Sequence, residues 1–178
     1  VCLRASKGCY WGQCSFCDAY HGLEADSVEV EQVVAQMAQH KARYGVRHFE
    51  FVDQCIAPAY LSKLADALLA ADLDVRWFCN ARTEPGFTRE LLERVHRAGN
   101  TMIMWGLESG SPRLLQLMKK GVQAERRLEI LADSSAAGIF NFGYVFFGFP
   151  TETREEAQAT IDLICENTDI IHAYGRSV

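Results

Sequence analysis

The chain has no run of about 18 apolar residues, the length a membrane-spanning helix requires. Its richest apolar stretch, Phe140 to Phe149, is broken by Asn141, Gly143 and Gly148. A buried strand accounts for that stretch better than a membrane span. Positive charge is not in excess either: 18 Lys and Arg stand against 23 Asp and Glu, a net charge of −5. This balance argues against nucleic acid or an anionic membrane as partner, leaving only local basic pairs such as Lys119-Lys120 and Arg126-Arg127. No nucleophilic triad, phosphate-cradling glycine loop or paired-carboxylate pattern stands out, so hydrolase and kinase readings have little support. An even cysteine count is missing as well. The 7 cysteines are irregularly spaced and no secretory segment opens the chain, which favours a reducing compartment, expected to be the cytoplasm.

What is present is an ordinary globular composition, 49% hydrophobic and 23% charged over 178 residues, enough for one well-buried core. Apolar or alternating runs at 1–5, 46–53, 73–80, 100–107, 139–148 and 169–174 read as strands. Helical periodicity follows each of the first five, near 27–44, 58–71, 88–98, 112–120, 123–137 and 153–167. Asp26 with Glu29 and Thr153 with Glu156 have capping-box spacing, and Ser111-Pro112 reads as a cap followed by proline at the first helical position. Gly45, Gly99, Gly121 and Gly138 fall where helices should stop. Strand-helix alternation of this kind predicts an α/β fold with a parallel sheet, either open or part of a barrel. A strand at each end, the last without a helix to cover it, suggests one module of a longer protein.

In such folds functional groups collect at the carboxyl ends of the strands. The unusual residues of this chain fall there: the loop carrying Cys9, Cys14 and Cys17, then Asp53-Gln54-Cys55, Asn80-Ala81-Arg82, Glu108-Ser109-Gly110 and Gly148-Phe149-Pro150-Thr151. Five loops thus converge on one face.

Cys9, Cys14 and Cys17 have no fourth cysteine nearby in the sequence. A structural zinc or an electron-transfer iron–sulfur cluster usually takes four protein ligands, whereas three thiolates on a cubane leave one iron open. Three readings stand on spacing alone: an iron–sulfur cluster, a zinc with His21 or Cys55 as a distant fourth ligand, or clustered core cysteines. Gly8 and Gly12 suit a loop that wraps a bulky inorganic body. Cys2, Cys79 and Cys165, within predicted strands or a helix, read as small packing residues. His40, His48, His96 and His172 lack metal-ligand spacing, and Met102-Ile-Met-Trp105 has strand rather than cofactor-box spacing.

A three-cysteine loop after the first strand of a repeated strand-helix fold resembles the radical S-adenosylmethionine (SAM) superfamily, with four residues here between Cys9 and Cys14 and two between Cys14 and Cys17. The segment from Trp105 through Gly-Leu-Glu-Ser-Gly-Ser-Pro-Arg to Gly121 is similar to the fourth-strand segment of branches that include cobalamin-dependent members and methylthiotransferases. Phe147-Gly-Phe-Pro-Thr-Glu-Thr153 resembles the fifth-strand segment of the same branches. Phe51-Val-Asp-Gln54 occupies the second-strand position where many relatives carry glycine-glycine-glutamate.

The resemblance implies a radical SAM core over residues 1–178, a partial (βα)6 TIM-like barrel of parallel strands. It also implies a [4Fe-4S] cluster on Cys9, Cys14 and Cys17 whose unique iron takes SAM, and reductive cleavage of SAM to a 5′-deoxyadenosyl radical. Phe16 matches the aromatic position near the adenine, and Asp53 would take the methionine ammonium, with a backbone-capping carboxylate as its alternative reading. Arg82 would meet the methionine carboxylate or else pair with Glu84 or Glu108. Glu108 and Ser109 would hold the ribose or amino group, or cap the helix at Pro112. A reductant such as flavodoxin or ferredoxin, a small-molecule or peptide substrate, and cobalamin carried by a domain outside these residues complete the implied set. Methyl transfer is the leading reaction. Methylthiolation and a non-catalytic zinc-stabilised module are the alternatives.

Overall fold

The computed structural model describes residues 1–17 and 25–177. Six parallel strands form one open sheet: β1 (Cys2–Leu3), β4 (His48–Phe51), β5 (Arg76–Ala81), β6 (Asn100–Glu108), β7 (Phe140–Phe146) and β8 (Ala173–Ser177), in that spatial order. Spatial order follows chain order, as in a barrel wall, and among the described residues β1 and β8 do not close upon each other. A separate antiparallel pair, β2 (Ser6–Lys7) with β3 (Asp26–Ser27), brackets the cysteine loop and was not expected from the sequence.

All six expected helices are present: α1 (Val30–Tyr44), α2 (Pro58–Ala70), α3 (Arg89–Arg97), α4 (Pro112–Leu117), α5 (Ala124–Ala136) and α6 (Arg154–Cys165). They cover one face of the sheet. Alternation along the strands explains why: Trp77, Cys79, Ile103, Trp105, Leu107 and Val145 face the helices and are buried, whereas their neighbours Phe78, Met102, Met104 and Tyr144 are part-exposed on the opposite face. Within that helix-covered core Phe87 packs edge-on against Trp105, ring centroids 4.9 Å apart, and Phe51 against Trp77 at 5.5 Å.

The caps follow the sequence at α4 and α6. Ser111 Oγ accepts from Leu114 N, and Thr153 with Glu156 forms a complete capping box. At α1 the expectation fails. Asp26 is spent in β3 opposite Lys7, and the helix starts at Val30 behind Glu29 with no side-chain cap. The last strand is also displaced, starting at Ala173 rather than 169. The amides of Ile170 and Ile171 return to the Asn167 carbonyl, so this apolar segment makes a turn that buries Ile171 in the core. Cys79 is fully buried as expected, but Cys2 and Cys165 are exposed. Of the basic pairs, Lys120 and Arg127 are buried and belong to the interior rather than to a surface patch. No helix among the described residues is long and apolar enough to cross a membrane.

Candidate active site

At the carboxyl ends of the strands lies a cavity of about 320 Å³ lined by Cys9, Cys14, Cys17, Phe16, Gln54, Cys55, Asn80, Arg82, Glu108, Lys120 and Tyr144, among others. Four of the five loops picked out by sequence meet here. The fifth lines an adjoining cavity of about 590 Å³ that shares Phe16 and Glu108 and is walled by Phe146, Phe147 and Phe149. Phe16 packs against Phe146 with ring centroids 5.1 Å apart, forming an aromatic ledge between the two spaces.

The cysteine loop is anchored from outside the cavity. Ser15 N donates to Met118 O at 2.9 Å, Ser15 Oγ to Leu117 O at 2.8 Å, and Trp11 Nε1 to Lys119 O at 2.9 Å. Gly12, at φ +59°, makes the bend that returns the chain from Trp11 towards Cys14. Cys9 Sγ lies 3.3 Å from Cys55 Sγ. The Cys55 hydrogen bond is the main cause that brings the Cys9 thiol down to about 5, helped by the Gly12 and Trp11 amides and by Arg82, and opposed by burial. Burial pushes the Cys14 thiol up. Cys55 is also raised, by its hydrogen bond to Cys9 and then by burial.

Arg82 is the hub of the cavity wall. Its guanidinium donates to Lys120 O at 2.6 Å and to Glu84 at 3.1 Å, and its Cζ sits 4.1 Å from the Trp11 ring centroid. Arg82 Nε is buried without a hydrogen-bond partner among the described residues, so one donor of the fork is unspent. Beside it, Lys120 Nζ meets Glu108 Oε1 at 2.5 Å, with both side chains largely buried. Glu108 holds a left-handed backbone, φ +61°, at the end of β6. Arg127 secures that bend from beneath, donating to Leu107 O at 2.9 Å and Ser109 O at 2.8 Å. Burial lowers Arg127 to about 10.

Two expected site residues are placed elsewhere. Asp53 is 2% exposed and does not line the cavity. Its carboxylate accepts from Ala5 N at 2.9 Å, Ser6 N at 2.5 Å and Ser6 Oγ at 2.7 Å, holding the backbone from which the cysteine loop departs. The backbone-capping reading of Asp53 is the one the geometry realises, and the neighbouring Gln54 is the residue that reaches the cavity. Ser109 is fully buried, bonded to Thr160 Oγ1 at 3.2 Å and accepting from Ser111 N at 3.0 Å, so it shapes the turn into α4. Tyr20 and His21 lie outside the described residues.

Sequence reasoning missed Lys120, Tyr144 and the Trp11 contact with Arg82. Lys120 sat in plain view beside Gly121, but it reads as the tail of a helix. Because α4 ends early and Lys119 (φ +52°) and Gly121 (φ +67°) are left-handed, the chain doubles back and aims Lys120 into the cavity.

The donor set fits an iron–sulfur cluster. Three thiols line one cavity, thiolate is the ligand such clusters take, and Arg82 and Lys120 supply positive charge against an anionic body. Among the described residues no group of three His, Cys, Asp or Glu side chains is arranged to hold a single metal ion.

Residues 3–164 match the Radical SAM superfamily. The chain belongs to that superfamily. It is 33% identical over 174 residues to bacteriochlorophyllide d C-12(1)-methyltransferase from Chlorobaculum tepidum, covering 93% of this chain and 37% of that protein. It is 30% identical over 182 residues to tRNA-2-methylthio-N(6)-dimethylallyladenosine synthase from Mycolicibacterium vanbaalenii, covering 91% and 35%. The fold superposes on the radical SAM methyltransferase TsrM from Kitasatospora setae at 22% identity, covering 99% of this chain and about a third of that one. The TM-score is 0.85 for the structure with tryptophan and a SAM analogue, and 0.82 for that with cobalamin and a [4Fe-4S] cluster. The six-stranded sheet is thereby the TIM-like partial barrel of this superfamily. The chain spans little more than a third of the relatives it matches.

Proposed function

We propose that this chain is the catalytic core of a radical SAM methyltransferase, one module of a longer protein. The observation that carries the proposal is the convergence of Cys9, Cys14 and Cys17 on one cavity with Gln54, Arg82, Glu108 and Lys120. The three cysteines hold a [4Fe-4S] cluster. A cluster held there would supply the open coordination position and the electron needed to cleave SAM reductively. Around it, Arg82 and Lys120 line the wall that would take the methionine carboxylate, while Gln54 and Glu108 would supply oxygens for the ammonium. The Phe16 and Phe146 ledge offers flat apolar faces to the adenine. Asp53 and Ser109 act from behind, fixing the backbone of the cysteine loop and of the turn after β6.

The methyl acceptor, a small molecule or a peptide, enters over Met104 and Tyr144, the apolar side of the cavity. Cobalamin and the electron donor bind outside these residues. Anaerobic reconstitution with iron and sulfide, followed by electron paramagnetic resonance with and without SAM, tests the proposal. A [4Fe-4S] signal that shifts on adding SAM, and is lost in Cys14→Ala, is the expected result. Stoichiometric zinc with no cluster would replace the proposal with a structural module. The methylthiotransferase reading has the 30% identical tRNA-modifying relative behind it. It requires a second cluster outside this segment, detectable as eight rather than four irons on the whole protein.

A further inference from the structure

A fourth thiol stands inside the site without a place in the function just proposed. Cys55, in the segment between β4 and α2, is buried at 4% exposure and lines the same cavity as the three loop cysteines. Its sulfur lies 3.3 Å from the sulfur of Cys9. The segment is fixed: Asn80 Nδ2 donates to Asp53 O at 2.8 Å, and Ile56 N to Asn80 O at 3.0 Å, tying both flanks of Cys55 to one residue of β5. Cys9 sits on the loop and is the more accessible of the two. Closing 3.3 Å to a disulfide bond of about 2.05 Å brings the two sulfurs little more than about 1 Å closer.

We propose that Cys9 and Cys55 are a redox pair that closes to a disulfide when the cluster is absent, so that the loop cannot take up iron again until it is reduced. The proposal rests on the reading of Cys9 as a cluster ligand. The oxidant is a peroxide. The Cys9 sulfur attacks it, a sulfur–oxygen bond forms as the oxygen–oxygen bond breaks, and a sulfenic acid and one water result. The Cys55 sulfur then attacks the Cys9 sulfur. The disulfide bond forms, the sulfur–oxygen bond breaks, and hydroxide leaves with the Cys55 proton as a second water. Two thiols lose two electrons and two protons, and one hydrogen peroxide becomes two waters. The more accessible partner is thus the one oxidised first and the buried one resolves it. The disulfide protects the Cys9 sulfur from irreversible oxidation while it removes one of three ligands.

The obvious competitor is Cys14 with Cys17, two residues apart in the loop. Among the described residues, however, the sulfur–sulfur contact recorded is that of Cys9 with Cys55. The test uses the full protein, stripped of metal by chelation, treated with hydrogen peroxide and alkylated, then mapped by peptide mass spectrometry with fragmentation. The expected result is the loss of two free thiols and a Cys9–Cys55 linkage. Ferrous iron and sulfide uptake without a dithiol should fall about tenfold after peroxide and recover with dithiothreitol, while Cys55→Ser keeps its uptake. A dominant Cys14–Cys17 linkage, or Cys55 still fully alkylated, overturns the proposal on the wild-type protein alone. Equal loss of uptake in Cys55→Ser overturns the gating role. If the disulfide forms but the reduced protein never binds iron, the cluster reading fails while the pair stands.

Discussion

The indole of Trp11 packs against the backbone of Gly121, so close that a Cβ added at Gly121 would sit 2.1 Å from Trp11 Cζ2. The same indole also carries the Arg82 guanidinium, its Cζ 4.1 Å from the ring centroid. Trp11 therefore wedges the cysteine loop between the end of α4 and the end of β5, which sets where Cys9 and Cys14 stand.

Gly121→Ala is expected to displace that wedge. Part of the cost is the left-handed backbone of residue 121 and part is the collision with the indole, together about 1–3 kcal/mol by urea unfolding. Iron bound per chain on reconstitution should fall with it. In a Trp11→Ala background the collision disappears, and the same change should cost only about 1 kcal/mol, the backbone component. Equal costs in the two backgrounds would show that the indole is not held by Gly121.

Asp53→Asn separates a structural carboxylate from a cosubstrate ligand. The three donors from Ala5 and Ser6 converge on its two oxygens, and an amide must turn one N–H group towards another. One buried donor left unpaired costs about 1–3 kcal/mol, seen as a lower urea midpoint. SAM affinity of the folded variant should stay within about twofold, since the carboxylate does not reach the cavity. A large loss of affinity with unchanged stability would return Asp53 to the ammonium.

The sequence carried the strand-helix rhythm because burial is written in period: alternate residues of β5 and β6 pack against helices, and Ser111-Pro112 and Thr153 with Glu156 mark helix starts through local chemistry alone. The three cysteines and Arg82 drew attention because they fall at strand ends, and they line one cavity. The sequence did not separate Asp53 from Gln54, since adjacent residues at a strand end face opposite ways and only the surrounding backbone decides which is buried. Nor did it expose Lys120, whose position depends on two left-handed residues that undo an apparent helix. The hairpin of β2 with β3 was illegible for a similar reason. Its two residues per strand carry no periodicity, and Ser6 within it is held by Asp53, remote in sequence.

Glu156 gives the fold an acid-sensitive clasp between α4 and α6. Its carboxylate accepts from Arg113 at 2.6 and 2.8 Å, from Ser111 Oγ at 2.7 Å and from Thr153 N at 3.0 Å. The Arg113 hydrogen bond, followed by those from Thr153 and Ser111, holds it at about 2 against an ordinary 4.5. A carboxyl depressed in the folded state contributes stability in full above its unfolded value, and that contribution is lost as pH falls towards the folded one. The thermal midpoint of the wild type should thus drop between pH 4.5 and about 2 by more than that of Glu156→Gln, the two curves converging at the acid end. Parallel curves would assign the acid sensitivity to other carboxylates.

The pair of Lys120 with Glu108 is buried beside the cysteines, and neither partner is expendable alone. Lys120→Met leaves Glu108 facing an apolar side chain in a largely closed wall, which should cost about 3–5 kcal/mol. Neutralising the partner as well, in Lys120→Met with Glu108→Gln, should recover most of that loss, because no uncompensated charge remains. Affinity for SAM behaves differently if Lys120 faces the methionine carboxylate. The double variant then regains stability but not binding, and titration of the reconstituted protein should show SAM at least about tenfold weaker than in the wild type. Recovery of both together would confine Lys120 to the fold and leave the carboxylate to Arg82.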